Sequence, residues 1–243
     1  MRTQKIRTFL FWFVILIVFS LRLILAPDTT EANEKGMLWF GFGEAEGKYQ
    51  EENYGIDKEV RGDTWEYSEY QYFSKKNNGS LIPSSQGASR SFFVHYTLFD
   101  PEADDKDGIK HKLNFTEVIP NWSRGYTYTI HLTDEIDLLT SADIFLGLGI
   151  ITFEKEIETG EKYDYKFGYD LSYGWSLQAS FKFDDNLFFG WRSFQKNNSI
   201  TLQYEESGKN NGYLTHRRDI ILFIGGTFSG ARPTCVETLY TKC

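Results

Sequence analysis

The sequence predicts an all-β protein, an antiparallel up-and-down β-barrel that spans a membrane. Three features favour this fold class: one long alternating segment, an export-type N-terminus and many aromatic residues. Between residues 163 and 183, every odd-numbered residue is apolar or aromatic and every even-numbered one is polar, charged or glycine. Successive side chains of a strand point to opposite faces, so this period of two predicts a strand with one apolar face. Ordinary strands run to about 5–6 residues, whereas a membrane-spanning strand needs about 9–11.

The chain begins with the pattern of a secretory signal peptide. Three basic residues precede a mostly apolar run without charges from residue 8 to residue 21. A transmembrane helix needs about 20 apolar residues, whereas a basic start followed by a short apolar core is typical of an export signal. We expect residues 1–32 to be the signal peptide, cleaved after Ala32. An uncleaved anchor that extends to Ala26 is the alternative.

The charge and the aromatic content narrow the choice of partners. Removal of residues 1–32 takes four basic and two acidic groups from 26 Lys+Arg and 34 Asp+Glu, which leaves a net charge of −10. A nucleic-acid partner would require a basic footprint, so none is expected. Aromatic residues make up 17% of the chain, and membrane barrels carry aromatic girdles at both interfaces. The expected partners are outer-membrane lipids, lipopolysaccharide and the barrel-assembly machinery.

The remaining strands follow from the same alternation. Besides residues 163–183, the predicted strands are residues 37–43, 91–99, 109–118, 124–133, 142–153, 187–204 and 219–228. These give eight strands in a barrel over residues 33–228, if residues 44–90 form one large outer loop in which residues 64–73 are a strand above the membrane. Ten strands result if residues 64–73 and another nearby segment span instead. Residues 229–243 are expected to be a C-terminal tail.

Loop lengths predict the orientation of the barrel. The three residues 184–186 form a short polar turn, and short turns of membrane barrels face the periplasm. Residues 134–141 are then a second periplasmic turn, and residues 154–162 and 205–217 are outer loops. Because three residues connect the two strands, Phe183 and Leu187 should face the same side.

A family resemblance appears at this hairpin. Residues 181–187 read Phe-Lys-Phe-Asp-Asp-Asn-Leu, after a strand rich in glycine and tyrosine and before an aromatic strand that contains Gly190-Trp191. This arrangement, mainly over residues 142–228, resembles small bacterial outer-membrane barrels of the opacity and porin-like type. The resemblance implies a location in the cell outer membrane and a structural, adhesive or narrow-pore role. Such chains usually end on an aromatic residue, whereas fifteen residues follow Phe228 here.

A soluble barrel is the alternative fold. Lipocalin-like barrels also alternate, but their apolar face points inward around a ligand. The length of the alternation and the small or charged residues of the opposite face favour the membrane. The structure must therefore decide which face of the wall carries the apolar residues.

No recognisable catalytic or cofactor motif occurs in the sequence, and no cofactor or metal is expected. His95 and His131 are predicted to face the lumen and are weak candidates for catalysis, so a lipid-modifying outer-membrane enzyme remains an alternative function. Cys235 and Cys243 could form a disulfide in an oxidising compartment; two unpaired thiols are the other possibility. Two cysteines without an intervening histidine do not make a zinc site.

Mixed charge on the inner face indicates a plugged barrel. The even-numbered residues of the long hairpin are predicted to form ion pairs in the lumen, above all Asp164, Lys166, Asp170 and Arg192. Side chains can fill the interior of an eight-stranded barrel. A non-conducting structural or adhesive barrel is thus the first functional hypothesis, and a narrow porin is the second.

Overall fold

The computed structural model describes most of the predicted barrel. The described residues are 34–73, 75–76, 83–160, 162–164, 168–183, 187–203 and 211–228. The predicted signal peptide, the tail with Cys235 and Cys243, and Lys166 lie outside these residues, as does the turn at residues 184–186.

Eight long strands dominate the described residues. They are β1 (Glu34–Glu51), β2 (Ile56–Phe73), β4 (Ser84–Phe99), β6 (Lys110–His131), β7 (Ile136–Ile157), β9 (Gly168–Phe183), β10 (Leu187–Gln203) and β11 (Asn211–Phe228). The shorter elements are β3 (Lys75–Lys76), β5 (Glu102–Asp104), β8 (Lys162–Asp164) and one 3₁₀ turn (Glu52–Tyr54). None of the described residues form a helix that is long and apolar enough to cross a membrane.

Each long strand pairs antiparallel with the long strand before it and the one after it. The pairing of β1 with β11 closes the ring. The prediction of an eight-stranded antiparallel up-and-down barrel is therefore confirmed.

The predicted strand list contains two errors that cancel in the count, because one strand was missed and another was predicted as two. Residues 44–90 do not form one outer loop, because β1 continues to Glu51, turns at once, and returns as β2. Gly55 suits this tight turn, since its φ of 67° lies in the left-handed region that favours glycine. Conversely, the two strands predicted at residues 109–118 and 124–133 are one continuous strand, β6.

The start of β1, the end of β11 and the hairpins β6–β7 and β9–β10 lie at one end of the barrel, which we call the periplasmic end after the orientation predicted from the sequence. Phe183 and Leu187 are direct register partners there and so share a face, as predicted. The β1–β2 turn and the β4–β6 connection lie at the outer end, where the predicted outer loop at residues 205–217 is shorter because β11 already begins at Asn211.

The apolar face of the long alternation points outward. Outward side chains around the ring are large, apolar and exposed, for example Ile144, which is 71% exposed. Others on this belt are Leu146, Leu148, Leu171, Tyr173, Trp175, Leu177, Phe189, Trp191, Leu222 and Ile224. The even-numbered residues of β9, among them Ser172, Ser176 and Lys182, are buried inside the barrel. A soluble lipocalin-like barrel has the opposite arrangement, so that alternative is wrong for this part of the wall.

Candidate functional site in the barrel interior

The periplasmic end of the interior is filled by large apolar side chains, which we call the aromatic floor. Its members are Met37, Trp39, Tyr70, Tyr72, Leu139, Phe188 and Phe223. Trp39 stacks on Phe223 with ring centroids 4.7 Å apart and meets Phe188 edge-on at 5.8 Å. Aromatic pairs of this geometry stabilise beyond the area they bury. The floor therefore fills this end of the interior with packed apolar side chains.

Arg192 of β10 lies above the floor and joins four strands. Its guanidinium lies 3.1 Å from Glu66 Oε1 and 3.8 Å from Asp143 Oδ2, and it donates to the hydroxyl of Ser176. The rings of Phe93 and Phe194 flank it, each with a centroid 4.6 Å from the guanidinium carbon. A buried cation is tolerated because carboxylates, a hydroxyl and aromatic faces replace its water.

A β-bulge in β11 adds two further polar side chains to the interior. The register of β11 with β1 and with β10 shifts around Arg217 and Arg218. As a result, Arg217 and Arg218 both point outward and are exposed, while His216 and Asp219 both point inward and are buried. A bulge inserts an extra residue into the strand, so the residues that face inward change from even-numbered before it to odd-numbered after it. This is why His216 and Asp219, three positions apart, share the inner face.

His216 and Asp219 complete a polar network that runs from Arg192 towards the outer end. His216 Nε2 lies 2.5 Å from Asp219 Oδ1, and His216 Nδ1 lies 2.8 Å from Glu117 Oε2. Asn198 donates to Glu117 and, at 2.6 Å, to Asp170 Oδ2. The members of this polar network are Glu66, His95, Glu117, Asp143, Asp170, Arg192, Lys196, Asn198, His216 and Asp219, and all are buried.

His95 and Lys196 link the two parts of the network. His95 lies 3.4 Å from Glu66 through Nε2 and 3.3 Å from Asp219 through Nδ1. Lys196 Nζ lies 2.5 Å from the same Asp219 carboxylate. Basic and acidic side chains therefore alternate through the interior, and removal of Arg192 or Lys196 would leave a buried carboxylate without its cation.

Above the polar network the interior becomes apolar again, in a region we call the outer core. It comprises Ala45, Tyr49, Ile56, Val60, Phe99, Ala103, Leu113, Phe115, Ile151, Phe153 and Leu214. Phe115 stacks on Phe153 at 4.4 Å between ring centroids. The buried pair of Lys155 and Glu51, 2.9 Å apart, lies at the top, with Lys155 Nζ over the ring of Tyr54.

The β4–β6 connection folds against the outer end beside this pair. Asp105 accepts hydrogen bonds from the backbone N–H groups of Asp107 and Ile109, and His111 Nε2 lies 3.0 Å from its other oxygen. Burial raises the pKa of the Asp105 carboxyl, but the hydrogen bonds from Ile109 and His111 outweigh it and hold this pKa below its ordinary value. The connection is thus pinned by an ionised carboxylate.

The four residues predicted to form ion pairs in the lumen do not form one cluster in the structure. Arg192 contacts Glu66 and Asp143, whereas Asp170 contacts Asn198 on the outer side of the network. The backbone of Asp164 pairs with β7 in the short strand β8, and Lys166 lies outside the described residues. Asp170 and Arg192 are therefore members of one network at two separate points.

The two candidate histidines lie in different surroundings. His95 is fully buried inside the polar network, without an open side towards lipid or water. His131 lies at the periplasmic end of β6, where its side chain is 34% exposed and its Nδ1 is 2.6 Å from Asp137 Oδ1. Among the described residues, no group of His, Cys, Asp and Glu is arranged to hold a metal ion.

Sequence reasoning missed several members of the network. Glu66 lies in the segment predicted to be an outer loop, and His216 lies in the loop predicted at residues 205–217. In the structure both are buried residues of barrel strands, Glu66 in β2 and His216 in β11. The even-numbered residues Gly212, Leu214 and His216 share one face of β11, and this alternation could have predicted that His216 points inward. The bulge obscured the pattern, because the inward-facing residues change from even to odd numbers between His216 and Asp219.

These features define the class of the protein. A closed antiparallel barrel with an apolar, aromatic outer belt and polar groups inside is an outer-membrane β-barrel protein. The chain is therefore located in an outer membrane and surrounded by its lipids.

Comparisons with known proteins return barrels of the same class. The attachment invasion locus protein Ail of Yersinia pestis, in complex with the heparin analogue sucrose octasulfate, matches at 13% identity and a TM-score of 0.33, over 81% of this chain and 99% of that one. The outer-membrane protease OmpT of Escherichia coli matches at 8% identity and 0.43, over 83% and 99%. The outer-membrane protein OprG of Pseudomonas aeruginosa matches at 9% identity and 0.42, over 82% and 98%.

Neither a protein-family model nor a curated protein matches the sequence. The class rests on the two faces of the barrel wall.

Proposed function

We propose that the protein is a closed outer-membrane barrel that does not conduct ions and that has a structural or adhesive role. The observation that carries this proposal is the burial of large interior side chains at every level of the barrel. Those less than 2% exposed include Trp39, Tyr70, Phe188, Arg192, Phe93, Phe194, Lys196, Phe99, Phe115, Phe153, Tyr49 and Lys155. Side chains that line a water-filled channel must be accessible to water, so the burial of this set supports a plugged interior.

Asp170 and Arg192 contribute to this closure in our proposal. Arg192 holds the wall together above the aromatic floor, and Asp170 holds β9 to β10 through Asn198. An eight-stranded wall leaves room for side chains but little for water. Ion pairs that cross the interior between strands would have to break before a pore could open.

A structural or adhesive role fits the outer end of the barrel. Here β1 and β2 rise beyond the apolar belt with charged outward side chains that pair across the strands. Lys48 lies 2.7 Å from Asp57, and Arg61 lies 3.5 Å from Glu44 and 3.8 Å from Glu46. With the outer core packed inside, this rim supports the proposal of a rigid, charged surface held above the membrane.

A conductance measurement tests the proposal. The protein is purified from outer membranes, shown to be folded by its heat-modifiable migration in gels, and reconstituted into a planar bilayer. We expect no steady conductance above that of protein-free bilayers at voltages that open known porins. A stable, large single-channel conductance would overturn the plugged barrel and support the narrow porin instead.

A second arm tests the role of the network. The variant Arg192→Ala removes the central cation, and Arg61→Ala removes an exposed arginine of the rim as a control. If the interior ion pairs keep the barrel closed, only Arg192→Ala should show transient conductance. Equal behaviour of both variants would contradict the role of Arg192.

A further inference from the structure

Asp170 is the carboxylate of the polar network that lacks a basic partner. The other four carboxylates of the network each lie within 3.8 Å of an arginine, lysine or histidine nitrogen. Among the described residues, the donor that contacts Asp170 is the neutral side-chain amide of Asn198, 2.6 Å from Oδ2. Its other oxygen, Oδ1, is buried without a hydrogen-bond partner. A buried charge without compensation is costly, so Asp170 requires a further group beside Oδ1.

A second carboxylate makes this part of the interior more negative still. Asn198 donates from one nitrogen, Nδ2, to Glu117 Oε1 at 3.2 Å and to Asp170 Oδ2 at 2.6 Å. The two carboxylates therefore share one neutral donor. Glu117 Oε2 lies 2.8 Å from His216, which balances at most one of the two negative charges. Neighbouring like charges repel strongly where water is excluded, so the pair needs one more positive charge, carried by a proton or by an ion.

Two neutral oxygen atoms beside Asp170 also lack partners. Ser172 follows Asp170 on the inner face of β9 and is the register partner of Gly147 on β7. Asn121 of β6 pairs with Gly147 from the other side. The side chains of Ser172 and Asn121 are 0% exposed, and neither Ser172 Oγ nor Asn121 Oδ1 has a hydrogen-bond partner among the described residues. Buried polar atoms are normally satisfied, so this pair of atoms indicates a missing ligand.

Gly147 allows the Asn121 side chain to extend towards β9. A Cβ atom on Gly147 would overlap Asn121 Oδ1, so this oxygen occupies the place of a side chain on β7. The side chains of register partners start about 4.5–5.5 Å apart, which makes Asn121 Oδ1 a direct neighbour of Ser172. The orientation of the amide is fixed, because Asn121 Nδ2 donates to the backbone oxygen of Ile119 at 2.9 Å. Oxygen atoms of Asn121, Ser172 and Asp170 therefore lie side by side.

We propose that Asp170 Oδ1, Ser172 Oγ and Asn121 Oδ1 bind one monovalent metal cation, sodium or potassium, inside the barrel. Carboxylate, hydroxyl and carbonyl oxygens are the ligands that hard cations prefer. The one unpaired carboxylate requires a single positive charge, which favours a monovalent ion over a divalent one. A proton on Asp170 would supply the charge but leave the oxygens of Ser172 and Asn121 without partners. A water molecule would satisfy the oxygens but leave the charge.

The cation would connect strands that are not adjacent. Asn121 belongs to β6, whereas Asp170 and Ser172 belong to β9, and β7 lies between these two strands. The ion therefore adds a contact across β7 that ladder hydrogen bonds do not make. All three ligands are buried, so the ion should be taken up as the barrel closes and should then exchange slowly. A ligand that binds only the folded state stabilises that state.

Unfolding in different salts tests the site. The protein is refolded into detergent micelles at equal ionic strength in sodium chloride, in potassium chloride, or in the chloride of N-methylglucamine, a cation too large for the site. We expect the urea midpoint to be higher in a metal salt and to rise with the logarithm of its concentration. Asp170→Asn removes the charged ligand and should abolish this dependence. Asp63→Asn, which alters an exposed carboxylate of β2, is the matched control and should retain it.

A second variant decides the test if Asp170→Asn does not fold. Ser172→Ala removes one neutral ligand and keeps the charge, so it should raise the metal concentration of half-maximal stabilisation about tenfold. Crystals grown with thallium(I) should show an anomalous peak between Asp170, Ser172 and Asn121. Equal midpoints of the unaltered protein in all three salts would overturn the site. An equal gain of stability in every salt for Asp170→Asn would overturn it too, because Asp170 would then carry a proton.

Discussion

The membrane belt and the outer end of the barrel are built from the same strands with opposite polarity. In the belt, β1 points Phe40 and Phe42 outward, and these are 62% and 52% exposed. A few residues later the same face carries Glu46 and Lys48, while Tyr49 is fully buried inside. The strand does not break and its facing does not change. What changes is the polarity of the two faces: the outer face passes from apolar to charged, and the inner face from polar to apolar.

The surroundings explain this exchange. In the belt the outer face meets lipid and must be apolar, so the polar side chains are confined to the interior, where they compensate one another. Above the membrane the outer face meets water. There the barrel stabilises itself as a soluble protein does, with apolar side chains inside and charges outside. The outer core is thus a conventional hydrophobic core stacked on an inverted barrel.

The largest effect is expected from the polar interior of the belt. Arg192→Ala leaves Glu66 and Asp143 without their shared cation, and the loss of one partner of a buried ion pair costs about 3–5 kcal/mol. Arg61→Ala at the exposed rim should change the free energy of unfolding by about 0.5 kcal/mol or less. Urea unfolding in lipid vesicles measures both. Equal losses would mean that the interior pairs are as dispensable as those of the surface.

Removal of a phenylalanine should have different effects in the two regions. Phe115→Ala opens a cavity in the outer core beside Phe153 and should cost about 3–5 kcal/mol. Phe42→Ala faces lipid, which flows in to fill the space, so its cost should be clearly smaller. The same unfolding assay compares them. A larger loss for Phe42→Ala would contradict the burial of the outer core.

Insertion of a charge on the outward face maps the boundary between the regions. Leu177→Arg places a guanidinium against lipid and should cost about 2–4 kcal/mol if it lies near the midplane. Gln50→Arg, outward on the outer end of β1, meets water and should cost about 0.5 kcal/mol or less. Similar costs at the two positions would place both in the same solvent.

The smallest effect concerns the connection that covers the outer end. The pKa of Asp105 is lowered in the folded protein, so its stabilising contribution is complete above the ordinary carboxyl value of 3.8 and is lost as the pH falls through the lowered value. Asp105→Asn should therefore speed hydrogen exchange of the Ile109 amide at neutral pH, after correction for intrinsic rates. This difference from the unaltered protein should vanish in strong acid; a difference that persists there would exclude the carboxylate as its cause.

The sequence was sufficient for the belt and insufficient for the outer end. The strict alternation from residue 163 to residue 183 has one apolar parity, so the strand, its facing and its hairpin with β10 could be predicted. In β1 the apolar parity passes from even at Phe40 and Phe42 to odd at Ala45 and Tyr49. If a strand is expected to keep its apolar residues at every second position throughout, this change marks the end of the strand. Residues 44–90 were therefore predicted to be a loop.

The same cause divided β6 in two. Leu113 and Phe115 point inward at odd positions, whereas Trp122 and Tyr126 point outward at even ones. The interior partners could not be predicted either, because Glu66, Glu117 and Asp219 come from distant strands and meet only when the ring closes. Arg192 and Asp170 were found because both lie on the one hairpin whose facing was certain.

A spin-label scan along β1 tests the exchange of polarity most directly. Single cysteines replace Phe40, Phe42, Glu46 and Lys48 in a chain whose Cys235 and Cys243 are serine, and each label is probed with oxygen, which collects in lipid, and with a water-soluble nickel complex. The labels at 40 and 42 should be relaxed mainly by oxygen, and those at 46 and 48 mainly by nickel. Relaxation by the same reagent at all four positions would contradict a strand that passes from lipid into water without a change of facing.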